Sequence, residues 1–148
     1  MDSILSSFVE NLNDLLIENS LDAKTLSNNL GMGNATITRY LNKDRVPTIK
    51  CLVKIADYFN CSTDYLLGLE DEIYPQTFQS CPPFAERVTF LLNYYKCSSY
   101  HIYHNAGIPQ VRYYSWKNGV SVPTVDNVIK IAKLFDCSVD FVIGRSKA

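Results

Sequence analysis

The chain has two histidines and one tryptophan in 148 residues, and its five cysteines form no C-x-x-C pair. An odd number of scattered cysteines excludes a disulfide framework and gives no zinc spacing. His101 and His104 sit three apart with no carboxylate or further cysteine at ligand spacing, so no metal and no cofactor is expected. Cys61 and Cys137 each follow an aromatic helix end and are expected to be small buried hydrophobes. There is no glycine loop to cradle phosphate and no nucleophile paired with a base, which argues against an enzyme. No run approaches the ~18 apolar residues of a membrane span. The opening MDSILSSFVENLNDLL carries acid where a signal peptide carries base. A cytoplasmic protein without a membrane partner is therefore expected.

What the chain does have is itself, twice. KIADYFNCSTDYLLG at Lys54–Gly68 returns as KIAKLFDCSVDFVIG at Lys130–Gly144, an offset of 76. The same offset joins Phe8 to Phe84, Gly31 to Gly107 and Pro47 to Pro123 without a gap. A repeat of this length divides the chain into a first domain, 1–68, a linker, 69–83, and a second domain, 84–148.

Each copy reads as five short helices. Leu5, Phe8, Leu12, Leu15 and Leu16 recur at helical spacing. Asp22 is placed to cap a second helix that stops at Gly31, and NATITRYLN reads as a third, with Ile37 and Tyr40 inward one turn apart. Thr48 opens a fourth helix with the apolar stripe Leu52, Ile55, Ala56 and Phe59, and Ser62 caps a fifth that ends at Gly68. The second copy follows suit over Phe84–Tyr95, Ser98–Ala106, Pro109–Asn118, Thr124–Phe135 and Ser138–Ile143. No period-2 run competes, so the fold class is all-α. The intervening LEDEIYPQTFQSCPP cannot continue a helix through Pro82-Pro83. Fully extended it would reach about 50 Å.

Net charge is −1 overall, but residues 1–71 hold ten acids and six bases, for −4, and residues 72–148 hold five acids and eight bases, for +3. On charge alone the second copy is better suited to phosphate.

The residues Leu26, Gly31, Ile37, Asn42, Pro47, Lys54-Ile55-Ala56, Ser62, Asp64 and Gly68, with Ile102, Gly107, Tyr113, Asn118-Gly119, Pro123, Lys130-Ile131-Ala132, Ser138, Asp140 and Gly144, give each copy a pattern that resembles the lambda-repressor-like (Cro-like, XRE) helix-turn-helix domain. The resemblance covers nearly all of the chain outside the linker. It implies two tandem five-helix DNA-binding domains, each laying its second helix across the phosphate backbone and its third in the major groove of double-stranded DNA. The implied recognition helices are 34–42 and 110–118. Their outward positions, the implied base readers, are Asn34, Ala35, Thr38 and Arg39, and Gln110, Val111, Tyr114 and Ser115. Asn34 and Gln110 share one register and suit adenine, while Ala35 and Val111 suit the thymine methyl. Asn42, Lys43, Arg45, Arg112, Lys117 and Asn118 are implied phosphate contacts. Tyr113 and Trp116 are expected in the core, with Tyr114 exposed. The sequence departs from the family at Ala23 and Ser99, where Gln is common, and at Gly33 and Pro109, which replace the usual Ser or Thr cap.

Two functional readings follow. In one, a transcriptional regulator, expected to repress, grips an asymmetric site with both domains as an intramolecular pseudo-dimer. In the other, the acidic first domain is a dimerisation or protein-partner module and a homodimer reads a palindrome. A separate alternative is a protein-interaction role for the whole chain without DNA, of the anti-repressor or antitoxin kind, because fold does not fix function.

Overall fold

Asp22, Thr48 and Ser62, the caps anticipated from the sequence, stand at helix starts in the computed structural model, which describes residues 2–147. Among these residues are ten α-helices and no strand. The chain divides into two units, Met1–Pro75 and Gln76–Ala148. The first contains α1 (Asp2–Glu18), α2 (Ala23–Asn29), α3 (Thr36–Leu41), α4 (Ile49–Phe59) and α5 (Thr63–Leu66). The second contains α6 (Phe84–Tyr95), α7 (Ser99–Asn105), α8 (Gln110–Lys117), α9 (Val125–Phe135) and α10 (Val139–Ile143).

Capping explains where most of the short helices begin. Asp22 accepts from the Thr25 N–H at 2.7 Å, Thr48 from Cys51 at 3.2 Å and Ser62 from Tyr65 at 2.8 Å. In the second unit Ser98 accepts from His101 at 3.1 Å and Ser138 from Phe141 at 2.9 Å. Each such bond satisfies an amide that the helix itself leaves without a partner. Thr124 also precedes its helix, but its hydroxyl is taken up by the side chains of Asp126 and Asn127.

The turns repeat as faithfully as the helices. Left-handed backbone occurs at Ser20, Gly31, Lys43, Asn60 and Gly68, and again at Lys96, Gly107, Gly119, Asp136 and Gly144, five pairs at the same offset. Gly68 and Gly144 are glycine for a second reason. A Cβ at Gly68 would lie 2.6 Å from the Ser7 Cβ, and one at Gly144 would lie 2.7 Å from both Arg87 and Pro82.

Each unit closes over its own apolar core. Phe8, Leu12, Leu26, Ile37, Leu52, Ile55 and Leu66 are buried in the first, and Val88, Leu91, Ile102, Tyr113, Val128 and Val142 in the second. An edge-to-face pair ties the first helix to the third in both: Phe8 with Tyr40 at 6.0 Å, and Phe84 with Trp116 at 6.1 Å. Removal of such side chains from water, at roughly 1.5–3 kcal/mol each, is the main force holding units of this size together. Cys61 is buried as expected, whereas Cys137 is only half-buried. Cys137 shares a hydrogen bond with Tyr95, whose phenol stays protonated well above its ordinary range because of burial and that bond.

Candidate nucleic-acid interface

The third helix of each unit is held by two bulky residues one turn apart. Ile37 and Tyr40 do this in α3, and Tyr113 and Trp116 in α8, all at most 2 % exposed. The remaining positions must face outward or sideways. Asn34, Ala35, Thr38, Arg39, Asn42, Lys43 and Arg45 are all exposed in the first unit. In the second, Gln110, Val111, Arg112 and Asn118 are exposed, while Tyr114, Ser115 and Lys117 are half-buried.

The expected helix 34–42 is shorter at both ends. α3 starts at Thr36, so Asn34 and Ala35 lie in the preceding turn, and Asn42 is the C-cap. α8 starts at Gln110 and is capped by Asn118. The shared register of Asn34 and Gln110 is therefore broken: Gln110 occupies the first helical position, and Asn34 stands two residues before its helix. The cause is where one amide goes. The Tyr113 N–H bonds the Pro109 carbonyl at 3.1 Å, a helical bond. The equivalent Ile37 N–H instead donates to the buried Ser27 hydroxyl at 3.3 Å, and Thr36 N–H makes the tighter turn bond to Gly33 at 3.0 Å. Pro109, with φ −57°, is preset for a helix start. Gly33 is not. Ser27 is a positioning residue that sequence reasoning missed; its sign was a small polar residue beside Leu26 on the inward face of α2.

The half-buried positions of α8 have partners of their own. Tyr114 lies against Tyr103 at 6.1 Å and Tyr113 at 5.1 Å, so it is not the freely exposed ring expected. The Lys117 ammonium lies 5.9 Å from the Tyr114 ring and 3.5 Å from the Ser99 hydroxyl. Ser99, at a backbone-contact position of the family, also accepts from the Tyr113 phenol at 2.8 Å. Burial raises that phenol's pKa, and the Ser99 bond opposes the rise. The Ser115 and Ser121 hydroxyls share a hydrogen bond of 2.6 Å. Tyr100 and His104 stack at 4.7 Å on α7, and the His101 ring meets Asn105 at 3.0 Å. Among the described residues, no group of three or more His, Cys, Asp or Glu could hold a metal ion.

Charge is distributed against the expectation set by the totals. Glu10, Asp14, Glu70 and Asp71 of the acidic unit line a separate cleft of about 330 Å³ with Ser7, Asn11 and Tyr65. Its recognition side keeps Arg39, Lys43 and Arg45 exposed, with Asp44 the acid among them. In the basic unit the residues equivalent to Lys43 and Arg45 are Gly119 and Ser121, flanked by Val120 and Val122, both more than 70 % exposed.

This geometry agrees with a sequence comparison in which the helix-turn-helix family model matches residues 12–66 and 104–142, more than half of the chain. The protein belongs to the lambda-repressor-like helix-turn-helix family, in two tandem copies. DNA-binding regulators make up that family, and the two matched stretches contain α3 and α8 with their flanking turns. The match to the second helix-turn-helix copy begins at residue 104, after α6 and most of α7, where the Tyr100 and His104 stack lies. Neither a curated protein nor a solved structure matches the sequence. No helix among the described residues is long and apolar enough to cross a membrane.

Proposed function

We propose that the protein is a sequence-specific transcriptional repressor that sets the segments 34–42 and 110–118 into the major groove of double-stranded DNA. One observation carries the reading. On both third helices the bulky pair one turn apart is buried, with Thr38 and Arg39 exposed between the pair in α3 and Gln110, Val111 and Arg112 exposed ahead of it in α8, so each helix is anchored on one side and presents side chains on the other. Gln110 and Asn34 then present amides to adenine, Val111 and Ala35 meet thymine methyl groups, and Thr38, Arg39, Tyr114 and Ser115 complete the base-facing sets. Asn42, Lys43, Arg45, Arg112, Lys117 and Asn118 contact phosphates and set the register. One chain acts as a pseudo-dimer, and because its two reading sets differ, its site is asymmetric.

Selection from a randomised duplex pool at two salt concentrations tests this. An asymmetric site with two conserved blocks is expected, each block relaxed by substitution in one unit only. A palindrome would point instead to a homodimer using one unit per chain, and no retention at low salt would overturn the DNA reading.

The exposed side chains also favour a second reading, in which the units divide the labour. The second unit's face is rich in Tyr and Val and poor in free cations, a composition suited to a protein partner. In that case the first unit is the DNA reader despite its net negative charge. Loss of binding with Arg39→Ala or Arg45→Ala, and none with Arg112→Ala, would select this reading.

A further inference from the structure

The segment expected to link the units is held by both of its ends. On the first unit, the Leu69 and Glu70 amides donate to the Asp64 carbonyl at 2.8 and 3.3 Å, and the Glu70 carboxylate accepts from Ser62 at 2.7 Å. On the second, the Gln79 N–H donates to the Arg145 carbonyl at 2.9 Å, and its side-chain amide donates to the Gly144 carbonyl at 3.0 Å. The Arg145 guanidinium lies 3.7 Å over the Phe78 ring and 3.2 Å from the Asp140 carboxylate. Arg145 is 0 % exposed. Residues 78–82 are thus a strap laid against the end of α10. Between the two anchored ends, residues 71–77 are exposed, and no described hydrogen bond involves them.

We infer that Phe78, Gln79 and Arg145 set which spacing of half-sites the protein accepts, by shortening the tether from the fifteen residues 69–83 to the seven of 71–77. This rests on the proposal that both units read DNA. Seven residues span at most about 23 Å and, as a flexible chain, about 15 Å on average. The whole expected linker would allow about 50 Å. A short tether gives the second unit a high local concentration at a half-site within reach and almost none beyond it. Shifting one half-site by about five base pairs carries it to the opposite side of the duplex, half of a ~34 Å turn. A tether of about 50 Å can follow the half-site round. One of about 23 Å cannot.

The test is binding to duplexes that carry both selected half-sites, with the spacer varied one base pair at a time over a full turn. It uses three forms of the full chain: wild type, Phe78→Ser with Gln79→Pro to free the strap, and a roughly eight-residue Gly/Ser insertion between Pro75 and Gln76 that leaves the strap in place. Wild type should bind best at one spacing and lose about 100-fold half a turn away, and both altered forms should recover most of that loss. Hydrogen exchange at the Gln79 amide, slow in wild type and in the insertion form, reports strap docking without reference to DNA. Wild type that accepts two half-sites at any spacing overturns the inference alone, as does a Gln79 amide that exchanges like an unstructured one. If only one half-site is ever selected, the two-unit reading fails and takes this inference with it.

Discussion

Asn11 in the first unit and Arg87 in the second occupy equivalent positions and serve the same carbonyls with different chemistry. The Asn11 amide donates to Tyr65 and Leu66 at 2.8 and 3.5 Å. The Arg87 guanidinium donates to Phe141 and Val142, the equivalent pair, and packs 4.2 Å over the Phe90 ring. The last helix of each unit is so short that the Tyr65 and Phe141 carbonyls receive only a closing turn bond, from the Gly68 and Gly144 amides at 3.0 and 3.2 Å, and the side chain supplements it. The lesson is that the repeat preserves a backbone requirement and leaves the side chain that meets it free to change. The recognition faces have diverged under the same rule. Their core sides match pair for pair, while their solvent sides exchange Lys, Asp and Arg for Gly, Val and Ser.

The largest effect expected from breaking this comparison is at Arg87. Arg87→Ala removes two charge-assisted bonds and a ring contact and takes the side-chain partner from the buried Val142 carbonyl, which should cost about 3 kcal/mol. Asn11→Ala should cost about 1 kcal/mol. Urea melts of the full chain that resolve the two units would measure both. Equal losses would mean that the charge and ring contact of Arg87 add nothing to what the Asn11 amide supplies.

Next in size are the reading residues. If Gln110 sits in the groove at the first position of α8, Gln110→Ala should remove about 2 kcal/mol of base discrimination at one position of the site. Asn34, in a turn ahead of α3 and not on it, should give a smaller loss. Selection with each variant decides the matter, and an equal or larger effect of Asn34→Ala would mean that α3 gains its missing turn on DNA.

Lys43 sharpens the comparison from the other side. It holds φ +61° where the second unit has Gly119 at +75°. A left-handed lysine costs roughly 1–2 kcal/mol that a glycine avoids. Its side chain returns only an exposed hydrogen bond to Ser6, at 3.2 Å. Lys43→Gly should therefore stabilise the first unit by about 1 kcal/mol in a melt and lower the salt slope of DNA binding by about 1. Stabilisation with no change in slope would remove Lys43 from the phosphate contacts.

These cases also show where a single sequence is legible. The helices are legible from apolar spacing and from Asp22, Thr48 and Ser62, because both signals are local and each has one physical meaning. The start of α3 was misread because Ser27 captures an amide ten residues away, and no spacing rule announces that. Arg87 and Arg145 were overlooked for a related reason. An arginine is ordinarily assigned to the surface, and what buries these two are carbonyls and a ring far along the chain. The strap at 78–82 was hidden in the same way, since its proline-rich composition describes a segment that is not helical, which is true, but does not say that it is docked.

The smallest expected effect separates the units by acid. Asp22 and Ser98 are equivalent caps, and only Asp22 titrates. Its bond from the Thr25 amide holds its carboxyl below the ordinary value of 3.8, with a further small contribution from Lys24. A carboxyl whose pKa is lowered on folding adds stability that is fully present above the unfolded value and is lost as pH falls through the folded one. The start of α2 should therefore loosen in acid below the ordinary carboxylate range, while the Ser98 cap on α7 gives no such dependence. Carboxyl and amide NMR titrations between pH 5 and the acid limit would follow this, with the Thr25 amide moving in step with the Asp22 carboxyl. Asp22→Ser should abolish that movement and make α2 behave as α7 does. If the Thr25 amide is indifferent to the Asp22 titration, the capping bond does not persist in solution, and α2 must be held by Leu26 and Ser27 alone.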